Sequence, residues 1–135
     1  MVRDYFSIAS AEDILPSLGS LVRHAQELKR AIEGHQSAVV RHRITTDGES
    51  EEVMIGAEFY DAELHTLTEE FYEVVERIEA TGAVLRDIDE GIVDFYTKFE
   101  NRDVFLCWHA GERRIRHWHE LDEGYAGRRR IIDMK

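Results

Sequence analysis

A chain of 135 residues with 43% hydrophobic content is long enough to bury a core and short enough to expect one domain over residues 1–135. Its single cysteine excludes an internal disulfide and suits a reducing compartment. A formal net charge of −11 argues against nucleic acid as a partner, because phosphate is neutralised by Lys and Arg.

No apolar run approaches the roughly 18–20 residues that a membrane span requires, and Met1-Val-Arg-Asp-Tyr-Phe lacks the apolar core of a signal peptide. The expectation is a cytoplasmic, bacterial protein without a membrane partner. The charge is unevenly placed. Residues 49–90 hold fourteen acids against only two bases, Arg77 and Arg86. That acidic stretch would suit a basic protein partner, or would simply keep a helix solvated; the second is the expectation.

At the start, Tyr5-Phe6-Ser7-Ile8 either adds a strand to a sheet or anchors the first helix. Ser7 and Ser10 both suit an N-cap, and Asp13 follows Ser10 within the first turn. Pro16 falls beyond the first turn from either cap. It predicts a short turn of helix before it and a long helix after it. In the long helix Ile14, Leu18, Leu21, Ala25, Leu28, Ile32, His35 and Val39 recur in steps of four and three, with Leu15 and Val22 widening the stripe near its start.

Ile44-Thr-Thr-Asp-Gly-Glu-Ser50 is turn chemistry, and a second helix is expected from Ser50 or Glu51. Its seam is Val53, Ala57, Tyr60, Leu64, Leu67, Phe71, Val74 and Ile78; Gly82 suits a left-handed C-terminal cap. Two such helices make an antiparallel hairpin over residues 1–81, about 40 Å long for roughly 28 residues each. The stripe is widest where the first helix begins and the second ends, so a sheet should pack there. The far end, residues 36–58, should then protrude. Val39, Val40, Met54, Ile55 and Phe59 would be poorly covered in a monomer, which points to homodimerisation through the hairpin.

After Gly82 the period changes to two. Ala83–Ile88 and Ile92–Thr97 read as strands around a turn at Asp89-Glu-Gly91, and Glu100–Asp103 is a further turn. Asp94 sits between Val93 and Phe95. It either faces solvent, which is the expectation, or pairs with an arginine or histidine across the sheet. The last pair of strands, Val104–Ala110 and Ile115–Leu121, flanks a turn at Gly111-Glu-Arg113 and carries both tryptophans and the only cysteine. The fold class that results is α+β: a long antiparallel helical hairpin followed by a four-stranded antiparallel meander (82–121) packed at its base, with a tail over 122–135. In the tail, Gly124 and Gly127 precede Arg128-Arg-Arg130. They either cradle an anion or form a solvated loop, the latter being expected.

The last hairpin holds the one credible site. If Cys107 lies opposite His117, then Cys107, His109, His117 and His119 share a face and suit a transition metal such as zinc. A slip of one residue would separate the pairs, and the turn alone does not decide between the registers. Trp and His also occupy half-buried sheets where ring nitrogens satisfy backbone groups. A structural or general binding role is therefore expected ahead of a metal site, and a metal site ahead of acid–base catalysis. His119 and Glu120, as neighbours on a strand, point to opposite faces and do not readily share a substrate. No phosphate loop, nucleophile elbow, dinucleotide fingerprint or Cys-x-x-Cys pair is present, which leans away from an enzyme.

Tyr5-Phe-Ser7 with Ile14-Leu-Pro16, Gly91-Ile-Val-Asp-Phe95, Val104-Phe-Leu-Cys-Trp108, Gly111-Glu112 and Trp118-His-Glu-Leu-Asp-Glu-Gly-Tyr-Ala-Gly-Arg128 together resemble the prokaryotic domain-of-unknown-function 2203 family. The resemblance covers nearly the whole chain and is most specific over residues 82–128. It carries no activity. It implies that Asp94, Cys107, Trp108, Glu112, Trp118, His119, Glu120 and Arg128 belong to the family pattern, whereas His109 and His117 do not. Of these, Asp94, Trp108, Glu112, Trp118, Glu120 and Arg128 are candidates for ligand or partner binding. The expected function is a non-enzymatic homodimeric assembly module. The alternative is a metal- or small-ligand-binding protein with its His/Cys site on the last hairpin.

Overall fold

The computed structural model describes the backbone of residues 3–45 and 50–133 and the side chains of residues 3–35 and 62–132. The turn 46–49 and the side chains from 36 to 61, which include the expected protruding tip, lie outside the described residues. Two helices precede five strands: α1 (Ile8–Thr45), α2 (Ser50–Ala80), β1 (Val84–Asp87), β2 (Ile92–Phe99), β3 (Arg102–His109), β4 (His117–Glu120) and β5 (Arg129–Arg130). The class is α+β, as the change of hydrophobic period predicts.

Ser7 starts α1. Its Oγ accepts from the Ser10 amide at 3.0 Å while the Ser10 Oγ accepts from the Ser7 amide at 2.9 Å, so two free amides of the first turn are satisfied reciprocally. The helix then runs unbroken through Pro16, contrary to the expected break. Pro16 forfeits one backbone hydrogen bond. Its neighbours Leu15 and Leu18 are buried in the core (6% and 0% exposed), and that packing holds the segment helical. The stripe facing the core is Ala11, Leu15, Leu18, Val22 and Ala25. Leu15 and Val22 are thus central to the seam, and Ile14 and Leu21 lie at its partly buried edge.

The helices are antiparallel: His24 lies 3.4 Å from Glu70, and further along α1 His35 lies 3.5 Å from Glu63. Gly82, at φ 94°, ends α2, and its amide reaches the Glu79 carbonyl at 3.0 Å. The sheet packs on the base of this hairpin. Gly19 faces the Trp108 ring, and the Gln26 amide donates to the Ile88 carbonyl at 2.9 Å. One core cluster joins Leu18, Val22 and Ile78 of the helices to Val93, Phe95, Leu106, Trp108 and Trp118 of the sheet.

The strands pair in chain order, β1-β2-β3-β4-β5, every pair antiparallel. The β2–β3 turn is two residues, Glu100 and Asn101, both at positive φ; that is the tight hairpin turn whose twist matches its strands. Tyr5 adds no full strand; it makes a single parallel bridge to Tyr96, beyond the start of β1. The fifth strand corrects the expected count of four. The tail is not a free loop: Arg129 and Arg130 pair with Trp118 and His117.

Candidate functional site

Strand alternation sorts the sheet into two faces. Val93, Phe95, Val104, Leu106, Trp108 and Trp118 face the helices. The opposite, outer face carries Asp94, Phe105, Cys107, His117 and His119, because Cys107 pairs with Asp94 on one side and with His117 on the other, and Phe105 with His119. The register is therefore the one that puts Cys107 opposite His117. The outer face is nevertheless buried at its centre: Asp94 and His119 are each 1% exposed and Cys107 is 0% exposed. The segment after β4 crosses this face. Tyr125 meets the His109 ring edge-on, and Arg128 reaches Glu112 at 3.3 Å.

Asp94 does not face solvent, contrary to expectation. Both its carboxylate oxygens lie 3.1 Å from His119 Nε2, and Arg86 Nε donates to Oδ2 at 2.9 Å. His119 Nδ1 faces the Glu120 carbonyl at 2.9 Å. A carbonyl and a carboxylate both require a donor, so both ring nitrogens carry protons and His119 is an imidazolium paired with Asp94. Burial opposes that charge. Burial is the largest single influence, but the contacts with Asp94, Cys107 and the Glu120 carbonyl together outweigh it, and the pKa is pushed up to about 10.

Cys107 closes the group. One donor atom from each of Asp94, Cys107 and His119 lies within 4.8 Å of the other two. A cavity of about 360 Å³ reaches Asp94 from solvent, lined by Arg86, Asp87, Leu121, Asp122, Glu123 and Tyr125 among others.

The four histidine and cysteine candidates thus divide. Cys107 and His119 meet, with Asp94 as the third member. His109 is turned to Glu90, at 3.7 Å, and to Tyr125. His117 lies 3.6 Å from Glu112, and its basicity is lowered by burial and by Arg128.

The remaining candidates hold the sheet and its turn. The Glu112 carboxylate accepts the His109 amide at 2.7 Å, and the Glu112 carbonyl accepts from Trp108 Nε1 at 2.8 Å. Trp118 packs on the helix side against Phe99, with Arg129 over its ring. Glu120 accepts two bonds from Arg102, at 2.9 and 2.7 Å, which hold its carboxyl below the usual range. Arg86 was not singled out from sequence. It is one of only two bases between residues 49 and 90, and it sits in the irregular register of β1, two residues past Val84, the strand partner of Asp94; alternation on its own does not reveal that its side chain reaches Asp94.

A nucleophilic relay would set the cysteine against one ring nitrogen and the carboxylate against the other. Here the carbonyl of Glu120 holds Nδ1 and Asp94 holds Nε2, so neither ring nitrogen is left to serve the cysteine as a base. That arrangement gathers donor atoms around one point.

A family model described as "Uncharacterized conserved protein (DUF2203)" matches residues 4–131. The chain belongs to the DUF2203 family. The match spans both helices and all five strands, so the outer-face group of this DUF2203 chain lies inside the family region. Comparison with curated proteins and with solved structures finds no match. Among the described residues no helix is long and apolar enough to cross a membrane.

Proposed function

We propose that this chain is a non-enzymatic assembly module of the bacterial cytoplasm that pairs with a second copy of itself through its helical hairpin. The observation that supports this is the fall in burial along the hairpin. Beside the sheet, Leu18, Val22 and Ile78 are at most 1% exposed. Towards the far end, Ile32, Leu64 and Leu67 stand in the same seams but are only partly buried. Helices of 38 and 31 residues outrun a small sheet, and a two-helix rod buries little on its own. A second copy would cover the seams and the apolar residues that follow them in sequence. The acidic second helix would leave a basic protein as the next partner.

Sedimentation equilibrium of untagged protein tests this. A dimer at micromolar concentration is the expected result, with a shift to monomer in an Ile55→Glu/Phe59→Glu variant that keeps its thermal transition. A monomeric parent protein overturns the proposal.

A further inference from the structure

The outer face carries a group that the assembly function does not use. Three residues of different chemistry, a carboxylate, a thiol and an imidazole, meet on strands β2, β3 and β4, all at most 1% exposed. Their donor atoms lie within 4.8 Å of one another, and His119 Nε2 stands 3.1 Å from Asp94. Ligands that share one tetrahedral ion through bonds of about 2.0–2.3 Å stand roughly this far apart.

The surroundings aim these atoms. His119 Nδ1 is tied to the Glu120 carbonyl, the outer contact that commonly fixes a ligating imidazole and leaves Nε2 for the metal. Arg86 occupies Oδ2 of Asp94 but leaves Oδ1 hydrogen-bonded to His119 alone among the described residues. The cavity that reaches Asp94 offers an entry path, and Asp87, Asp122 and Glu123 on its lining favour cations there.

We propose that Asp94, Cys107 and His119 form a binding site for a divalent zinc-like ion. The set suits zinc or cobalt, which accept mixed thiolate, imidazole and carboxylate ligands, better than magnesium or calcium, which prefer oxygen alone. The ligands are the neutral imidazole and the thiolate, so the protons on His119 Nε2 and Cys107 Sγ pass to solvent as the dipositive ion enters. Three protein ligands leave a fourth position for water or a small anion, the pattern of open rather than closed zinc sites.

The test is a cobalt titration of chelator-treated, untagged, full-length protein, followed by zinc competition and native mass spectrometry. The expected result is one cobalt per chain with a thiolate-to-cobalt charge-transfer band that zinc abolishes. The band should vanish in Cys107→Ser and persist in a His109→Ala/His117→Ala variant, and Asp94→Asn should weaken binding at least tenfold. The absence of saturable binding in the parent protein overturns the proposal, as does a band that survives Cys107→Ser or disappears in the double histidine variant. If Cys107→Ser loses its thermal transition, the parent protein still decides: zinc should slow alkylation of the single cysteine at least tenfold, and an unchanged rate overturns the site. The mass spectra read oligomeric state separately, so a metal-bound monomer would overturn the assembly function and leave this site standing.

Discussion

Replacing Asp94 by Asn keeps the shape of the side chain and removes the charge that His119 depends on. In the chelated protein the imidazolium is bounded by Asp94 on β2, Cys107 on β3 and the Glu120 carbonyl, with Arg86 on the far side of the carboxylate. The His119 pKa stands at about 10 against an ordinary 6.5. A raised value stabilises the fold fully below pH 6.5, and the contribution disappears as pH rises through 10. Linkage converts the difference into about 4 kcal/mol at pH 7, falling to about 1 kcal/mol at pH 9. The value at pH 7 agrees with the roughly 3–5 kcal/mol lost when one partner of a buried ion pair is removed. Urea denaturation of parent and Asp94→Asn proteins at pH 6, 7 and 9, in chelator, measures the difference directly. A gap below about 1 kcal/mol at pH 6, or one that does not shrink by pH 9, would refute an imidazolium held by Asp94.

Three further outcomes are expected. Leu18→Ala removes a side chain with 0% exposure at the helix–sheet contact and should cost about 2–5 kcal/mol in the same urea assay; a loss under about 1 kcal/mol would mean that the helix is not seated on the sheet. Gly91→Ala should cost at least about 2 kcal/mol, because φ is 70° and a new Cβ would stand 2.5 Å from that of Ala110; an unchanged midpoint would count against the close turn. The Asp103 carboxyl is held down at about 2, chiefly by Lys98, with Arg3 and Tyr5 adding to it. A lowered value stabilises the fold above the ordinary carboxylate range and ceases to do so as pH falls through it. The melting temperature should therefore drop between pH 4 and pH 2 more steeply in the parent than in Asp103→Asn, and parallel curves would refute the cluster.

Much of the architecture is legible in local pattern. The steps of four and three announce the two helices, Gly82 announces the end of the second, and the change to period two announces the meander. Pro16 misleads because its local cost is set against burial of Leu15 and Leu18 by a sheet that lies many residues later in the chain. Asp94 misleads for a related reason. Alternation places it on the face away from the helices, where solvent is the natural neighbour. Only the return of residues 121–128 over that face, and of Arg129 and Arg130 as a fifth strand, turns the site inward. The tail carries no alternation long enough to read as a strand, since two residues suffice for its pairing. The candidate site was legible as a set of residue types on one hairpin. Its membership was not, because Asp94 reaches Cys107 and His119 from a neighbouring strand.

Because each strand of the sheet lies beside the strand made just before it, the sheet can be laid down in the order of synthesis, one short closure at a time. The first helix cannot complete its packing on that schedule. Leu18 and Val22 belong to a core that also needs Leu106 and Trp108, so most of the chain must emerge before that face is covered. During that interval the neighbour available to α1 is α2, with which it forms the hairpin. The growing chain would therefore pass through a stage of paired helices with an uncovered apolar base, its most aggregation-prone moment, and the arrival of β3 and then of Trp118 on β4 would end it.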